Sequence, residues 1–265
     1  MTTTGSHLGT IRTIRRHPVK SMAGEVVPRA IVAHAGIVGD RAWAFTDAAG
    51  PPHFPWFTGR TLGPYVTWRA AYADPARTLH DEALEAAWAR GSGVAPALPD
   101  DTAFAVRVTS PEGATHAIDD PRLRAALEAA TGRRLALRFA TRGMQDCRPI
   151  SLVTSQTIQG FAAEAAIVPD PARFRMNLEW DWPGSDPFAE NALVGKHLAI
   201  GPRLQLAIVE PDARCAMIGL DPATGQPDRL VLRRLADHHG GNLGLYAAVL
   251  REGVVTEGDE VRLLD

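Results

Sequence analysis

The stretch Leu204-Gln-Leu-Ala-Ile-Val209-Glu210-Pro-Asp-Ala-Arg-Cys215-Ala216-Met-Ile-Gly-Leu-Asp-Pro222-Ala-Thr-Gly225 joins a structural signal to a chemical one. Leu204 to Val209 is a short apolar run with the pattern of a β-strand, and a turn follows it. Cys215 stands at the strand's exit, directly after Arg214 and before a Pro-Ala-Thr-Gly turn. An adjacent cation favours the thiolate. Such a thiolate serves as a nucleophile or a metal ligand; the alternative is a small buried residue with no chemistry.

Outward from that strand, the chain has 265 residues, 45% of them hydrophobic, and a net charge of −2. That length supplies one large core or two small ones. The charge balance argues against nucleic acid and against an acidic membrane surface as partners. The cysteines, Cys147 and Cys215, form no Cys-x-x-Cys, which disfavours a disulfide scaffold and a zinc ribbon. Met1-Thr-Thr-Thr-Gly-Ser-His7 has no signal-peptide pattern, and no run has the length of a membrane helix, so a cytoplasmic protein without membrane partners is expected. The chain holds 24 glycines and 20 prolines among many short apolar runs, a composition of turns and short strands.

Strands are expected at 8–20, 26–32, 41–45 and 66–72, a β-meander suited to a small barrel or sandwich. Residues 73–100 are Ala-rich with interspersed carboxylates, a short helix or a disordered excursion whose charges form a solvated face. A strand at 103–108, a turn at Glu112-Gly113, a helix at 121–131 and a strand at 134–139 follow. Beyond Asp146, Ile150 to Val153 is a strand, and Thr154-Ser155 caps a helix running from Gln156 to about Ala166. Further strands are predicted at 198–200, 229–232, 245–250 and 261–264. The fold class is mainly β (α+β), in three parts: an N-terminal barrel-like domain at 8–110, a connecting segment with a helix at 111–144, and a β-barrel domain at 145–265.

No Gly-rich phosphate loop and no Gly-x-Ser-x-Gly is present, and the nine histidines show no metal-binding spacing. Four polar clusters carry more donors than solvation needs: Pro18-Val-Lys20-Ser21, Gly39-Asp40-Arg41, Asp146-Cys147-Arg148 and Arg173-Phe-Arg175-Met-Asn177. On a strand, Arg175 and Asn177 would share one face. Lysine and arginines beside Ser and Asn suit an anionic phosphate, through forked and charge-assisted donors. The alternative is surface arginines paired with Asp40 and Asp146.

These residues also resemble a family. His17-Pro-Val-Lys-Ser21, Gly36-Ile-Val-Gly-Asp-Arg-Ala-Trp43, Asp146 with Pro149, Phe174-Arg-Met-Asn177, Arg214-Cys215 with Asp221-Pro-Ala-Thr-Gly225, and Glu257-Gly-Asp-Glu260 occur in the order found in MOSC-domain proteins that carry an N-terminal β-barrel domain. The chain is similar to bacterial stand-alone MOSC proteins and to the mitochondrial amidoxime-reducing component. The resemblance implies a molybdenum cofactor, a Mo-pyranopterin dithiolene, in a cleft between the domains. Cys215 would be the metal ligand and Asp146 a proton relay or a structural partner of Arg148. Lys20, Ser21, Arg41, Cys147, Arg148, Arg175 and Asn177 would hold the cofactor. It further implies an oxidoreductase acting on N-hydroxylated compounds such as amidoximes, hydroxylamines and N-hydroxylated bases, with a separate electron-donor protein. A non-catalytic carrier of the cofactor, or of a persulfide on Cys215, is the alternative. The sequence departs from the family at Thr58-Gly-Arg60-Thr61, at Cys147-Arg148, where small hydroxyl residues are frequent, and at Met176.

Overall fold

In a computed structural model, residues 5–91, 93 and 104–264 are described. In chain order the elements are β1 (Ser6–Arg16), β2 (Glu25–Val27), β3 (Arg29–Ala33), β4 (Gly36–Ile37), β5 (Trp43–Asp47), β6 (Arg69–Tyr72), α1 (Ala76–Leu79), α2 (Glu82–Ala89), β7 (Val106–Thr109), β8 (Thr115–Ala117), α3 (Pro121–Thr131) and β9 (Leu135–Phe139). They continue with β10 (Ile150–Thr154), α4 (Ser155–Ala165), α5 (Pro171–Phe174), β11 (Leu178–Asp181), β12 (His197–Ile200), β13 (Leu204–Ala213), α6 (Arg229–His239), β14 (Asn242–Arg251), β15 (Gly253–Thr256) and β16 (Glu260–Leu264). Short 3-10 turns lie at Gly63–Thr67, Ala189–Leu193 and Ala216–Gly219.

The protein is mainly β around a closed seven-stranded barrel. Its strand order is β11-β10-β14-β13-β12-β16-β1, and pairing of β1 with β11 closes the ring. β10 and β11 run parallel, so the chain must cross over between them, and it does so through α4 and α5. The first strand completes a barrel otherwise built from residues 150–264, and β15 pairs with β3. The strands therefore pair across the division at 110 and 145.

The barrel interior holds Ile11, Ile14, Leu152, Leu178, Trp180, Leu206 and Leu245. Burying each side chain of this size contributes about 1.5–3 kcal/mol. A second core, with Phe45, Phe57, Tyr65, Phe104 and Leu123, lies among β5, β6, β7 and α3. A third places Phe161 of α4 against Val231 and Leu235 of α6. Among the described residues no helix is long and apolar enough to cross a membrane.

Several local expectations need correction. The strand expected at 229–232 is the start of α6. Asp228 caps it by accepting from Leu230 N at 2.9 Å, and Val231 and Leu235, four apart, form its buried stripe. Residues 63–67 form a 3-10 turn with Pro64 near its start, and the strand starts only at Arg69. Pro28 divides the 26–32 run into β2 and β3, since proline lacks a ladder donor. The first seventy residues are not a simple meander, because β5 pairs with β9 and β6 with β7. The 73–100 excursion contains α1 and α2; its remainder at 92 and 94–100, and Ala103 of the 103–108 strand, lie outside the described residues. Thr154 caps α4 as expected, accepting from Thr157 N at 3.2 Å.

Candidate functional site

Every sequence-predicted site residue lines one cavity of about 270 Å³: Lys20, Ser21, Arg41, Asp146, Cys147, Arg148, Arg175, Asn177 and Cys215. Five segments deliver them. They are the loop after β1, the turn before β5, the loop before β10, and the α5–β11 junction, with the exit of β13 opposite. Phe54, Arg60, Gln145, Ser151, Asp212, Arg214, Met217 and Tyr246 also line it and were not among the predicted site residues.

The wall is charged in one direction. Lys20, Arg41, Arg60, Arg148, Arg175 and Arg214 face two carboxylates, Asp146 and Asp212. Lys20 is 3% exposed and donates to Met144 O and Asp146 Oδ1, both at 2.6 Å. Burial pushes its ammonium below the ordinary lysine range, against the pull of Asp146. Asp146 is thus the partner of Lys20 and not of Arg148, whose Nε donates to Glu210 at 2.8 Å. Of the two aspartates expected to pair with arginines, only Asp40 does so, with Arg41.

Asp40 organises the cavity from behind. Its buried carboxylate accepts from His17 N at 2.8 Å, from Asn177 Nδ2 at 3.1 Å and from Arg41. Burial alone would raise this carboxyl, but the Arg41 charge and the His17 donors hold it well below the usual carboxylate range. Asn177 is wholly committed. Its Oδ1 accepts from Ser151 N and Oγ, both at 3.1 Å, and its Nδ2 also reaches Arg15 O at 3.4 Å. That is the full capacity of a carboxamide, so Asn177 positions the wall.

Arg175 and Asn177 do not share a strand face. Arg175 ends α5 with φ +56°, and β11 begins only at Leu178. Arg41 Nη2 donates to Arg175 O at 3.3 Å, and Arg175 Nη1 to Met22 O at 2.8 Å. Burial, then repulsion from Arg41, pushes the Arg175 guanidinium down to about 9. Ser21 (φ +67°) and Arg41 (φ +53°) also have left-handed backbones. A non-glycine residue held there stores strain, and three such positions surround this one cavity.

Cys215 is exposed and leads the Ala216–Gly219 turn. Its neighbour Arg214 reaches Asp212 and Phe174 O, both at 2.5 Å, and leaves its buried Nε with no partner among the described residues. Asp212 is pushed up by burial, against Arg214, and Tyr246 beside it is pushed up by burial and by the Asp212 charge. Cys147 is exposed on the same cavity.

The fold is thus a closed β-barrel with an accessible thiol in a cationic cleft, a wall whose charge suits an anionic ligand. Family comparison agrees: the MOSC domain model matches residues 140–262, and the MOSC N-terminal beta barrel domain model matches residues 8–61. The chain belongs to the MOSC-domain proteins, a family associated with molybdenum cofactor binding. Among solved structures it is similar to the YuaD protein from Bacillus subtilis, with 14% identity over 96% of this chain and 94% of that one and a TM-score of 0.47. It is also similar to YiiM from Geobacillus stearothermophilus, with 16% identity, coverage of 44% and 55%, and a TM-score of 0.35. For YiiM from Escherichia coli the values are 18%, 44% and 55%, and 0.34. No curated protein matches the chain.

Proposed function

We propose that this protein is a molybdenum-cofactor-dependent oxidoreductase that reduces N-hydroxylated compounds. One observation carries the reading: an exposed thiol, Cys215, shares a cavity with six cationic side chains and two carboxylates. The donor set fits the group. A thiolate suits a soft-leaning metal, and the unbalanced guanidinium and ammonium groups suit a pterin phosphate. The unpartnered Arg214 Nε and the depressed Arg175 both call for an anion.

Cys215 would be the protein's metal ligand. Lys20, Ser21, Arg41, Arg148 and Arg175 would hold the pterin and its phosphate, with Cys147 beside them. Asn177 and Asp40 would fix those side chains in place. When bound, the cofactor supplies two-electron redox chemistry. The net change breaks the N–O bond, consumes two electrons and two protons, and releases water. The electrons would come from a separate donor protein. Asp146 is the candidate proton carrier: its side chain is 56% exposed, and Lys20 fixes its Oδ1 at the cavity.

The test is molybdenum and pterin content in wild type, Cys215→Ser and Cys147→Ser from a host that makes the cofactor, followed by turnover of hydroxylamine with an artificial electron donor. The expected result is about one molybdenum per wild-type chain, lost in Cys215→Ser and kept in Cys147→Ser, with turnover. Metal and pterin without turnover would favour a carrier. A wild type without either would overturn the cofactor reading.

A further inference from the structure

A smaller cavity, of about 60 Å³, shares Arg175 and Met217 with the cationic cavity. Arg15, His17 and Arg173 line the smaller one alone, together with Gly24. Its wall therefore holds three guanidinium groups and an imidazole, and among the described residues no carboxylate.

The fold leaves these donors short of acceptors. Arg173 is 6% exposed; its Nη1 donates to Ile218 O at 3.3 Å and Leu220 O at 3.1 Å, and its Nη2 to Asp221 at 3.2 Å. Its buried Nε has no partner among the described residues. Arg15, half-buried on β1, makes no side-chain hydrogen bond or ion pair among the described residues. Burial pulls it below the ordinary arginine range, against the longer-range attraction of Asp170 and Glu179. Arg175, also half-buried, is repelled by Arg15 and gives one bond to Met22 O. His17 Nδ1 stands 3.5 Å from Asp40 Oδ1, and its Nε2 edge packs on Gly24, where a β-carbon would stand 2.9 Å from Nε2. Asp40 and Asp221, the carboxylates beside His17 and Arg173, are not part of the wall.

We propose that this small cavity is a second anion site, which takes one free tetrahedral oxyanion of the phosphate or sulfate class. It is separate from the cavity that presents Cys215. Guanidinium forks match pairs of oxygens on such an ion, whereas a halide offers a single point. A space of about 60 Å³ has room for one small ion and none for a cofactor. The ion supplies the counter-charge that Arg15, Arg173 and Arg175 lack. Because Arg175 belongs to both walls, an ion here also offsets the charge that Arg175 presents to the larger cavity.

The test uses the full chain purified from a cofactor-producing host, as wild type, Arg15→Met and Arg15→Lys. Arg15 is the residue to change because it lines the small cavity alone and holds no partner whose loss would disturb the fold. Arg12→Met is the control: Arg12 is exposed on the same strand and lines neither cavity. Equilibrium dialysis measures labelled sulfate at fixed ionic strength, with unlabelled phosphate or chloride as competitor. The expected result is saturable sulfate binding in wild type and Arg12→Met, displaced by phosphate and not by chloride. Affinity should fall about tenfold or more in Arg15→Met and by less in Arg15→Lys, with molybdenum content equal in all four proteins. Wild type without saturable sulfate binding would overturn the site, and so would binding that ignores Arg15→Met. Displacement by chloride as readily as by phosphate would overturn the oxyanion assignment. The sulfate difference between wild type and Arg15→Met is read with or without molybdenum in the protein, so failure of this site is distinct from failure of the cofactor reading.

Discussion

Asp40 Oδ2 accepts from Asn177 Nδ2 at 3.1 Å, across 137 positions of sequence. This bond ties the turn before β5 to the α5–β11 junction, and the same carboxylate also receives His17 N and Arg41. Asp40 is 1% exposed, so removing its charge leaves Arg41 and Arg175 facing each other with less compensation. Breaking such a buried pair from one side costs about 3 kcal/mol or more. Asp40→Asn should therefore unfold at lower urea with an unchanged m-value, and should be purified with little cofactor. Wild-type stability in that variant would show that the carboxylate carries no structural charge.

The pH dependence follows from the same cluster. His17 is buried, and burial, then Arg175, pushes its pKa well below the ordinary 6.5. The unfolded chain then takes up a proton at His17 below pH 6.5 that the folded protein refuses, so stability falls as pH drops through that value. Asp40 adds stability above 3.8, which is lost as pH falls below that toward its depressed folded value. Between pH 6.5 and 5.5, wild type should lose about 1 kcal/mol more than His17→Gln. Denaturant melts of both proteins across pH 4.5–8 measure the difference, and parallel curves would refute it.

Ser21 offers a test of the strained backbone. At φ +67° a non-glycine residue costs about 1–2 kcal/mol, while replacing a residue by glycine ordinarily costs about 0.5–1 kcal/mol through the unfolded chain. The terms nearly cancel, so Ser21→Gly should lie within about 0.5 kcal/mol of wild type. Ser21→Val, β-branched in the left-handed region, should lose about 2 kcal/mol. Equal losses in the two variants would locate the cost in the hydroxyl and not in the backbone.

These features explain what the sequence could and could not disclose. Cys215, Lys20, Arg41 and Arg175 are legible because their chemistry is uncommon at strand exits and their neighbours form recurring short motifs. Their convergence on one cavity follows from pairings such as β1 with β11, which join residues about 170 positions apart and leave no local pattern. The helix after Asp228 was hidden because Arg229-Leu-Val-Leu232 also suits a strand, and only the cap and the spacing of Val231 and Leu235 decide. Arg175 and Asn177 are two apart, which suggests a strand face, yet tertiary contacts hold Arg175 in a left-handed turn. Asp212 and Tyr246 escaped notice because a lone aspartate and a lone tyrosine carry no signal until β13 and β14 lie side by side.

Arg175 carries the last prediction. It is half-buried, its Nη1 donates to the Met22 carbonyl, and among the described residues no carboxylate pairs with it. Burial and the nearby charges of Arg41, Arg214 and Arg15 bring it down to about 9. At neutral pH both folded and unfolded chains hold its proton, so the folded protein bears the full cost of a half-buried, crowded cation. That cost is relieved only as pH rises above about 9, or when an anion binds. Arg175→Met removes the charge and sacrifices one neutral-acceptor hydrogen bond worth about 1 kcal/mol. The charge term is the larger, so cofactor-free Arg175→Met should be more stable than cofactor-free wild type by about 1 kcal/mol. Pyrophosphate should raise the Tm of cofactor-free wild type and leave that of Arg175→Met nearly fixed, and the variant from a cofactor-producing host should lack molybdenum. A variant less stable than wild type that still responds to pyrophosphate would show instead that Arg175 serves the fold and that the anion is held by Lys20 and Arg41.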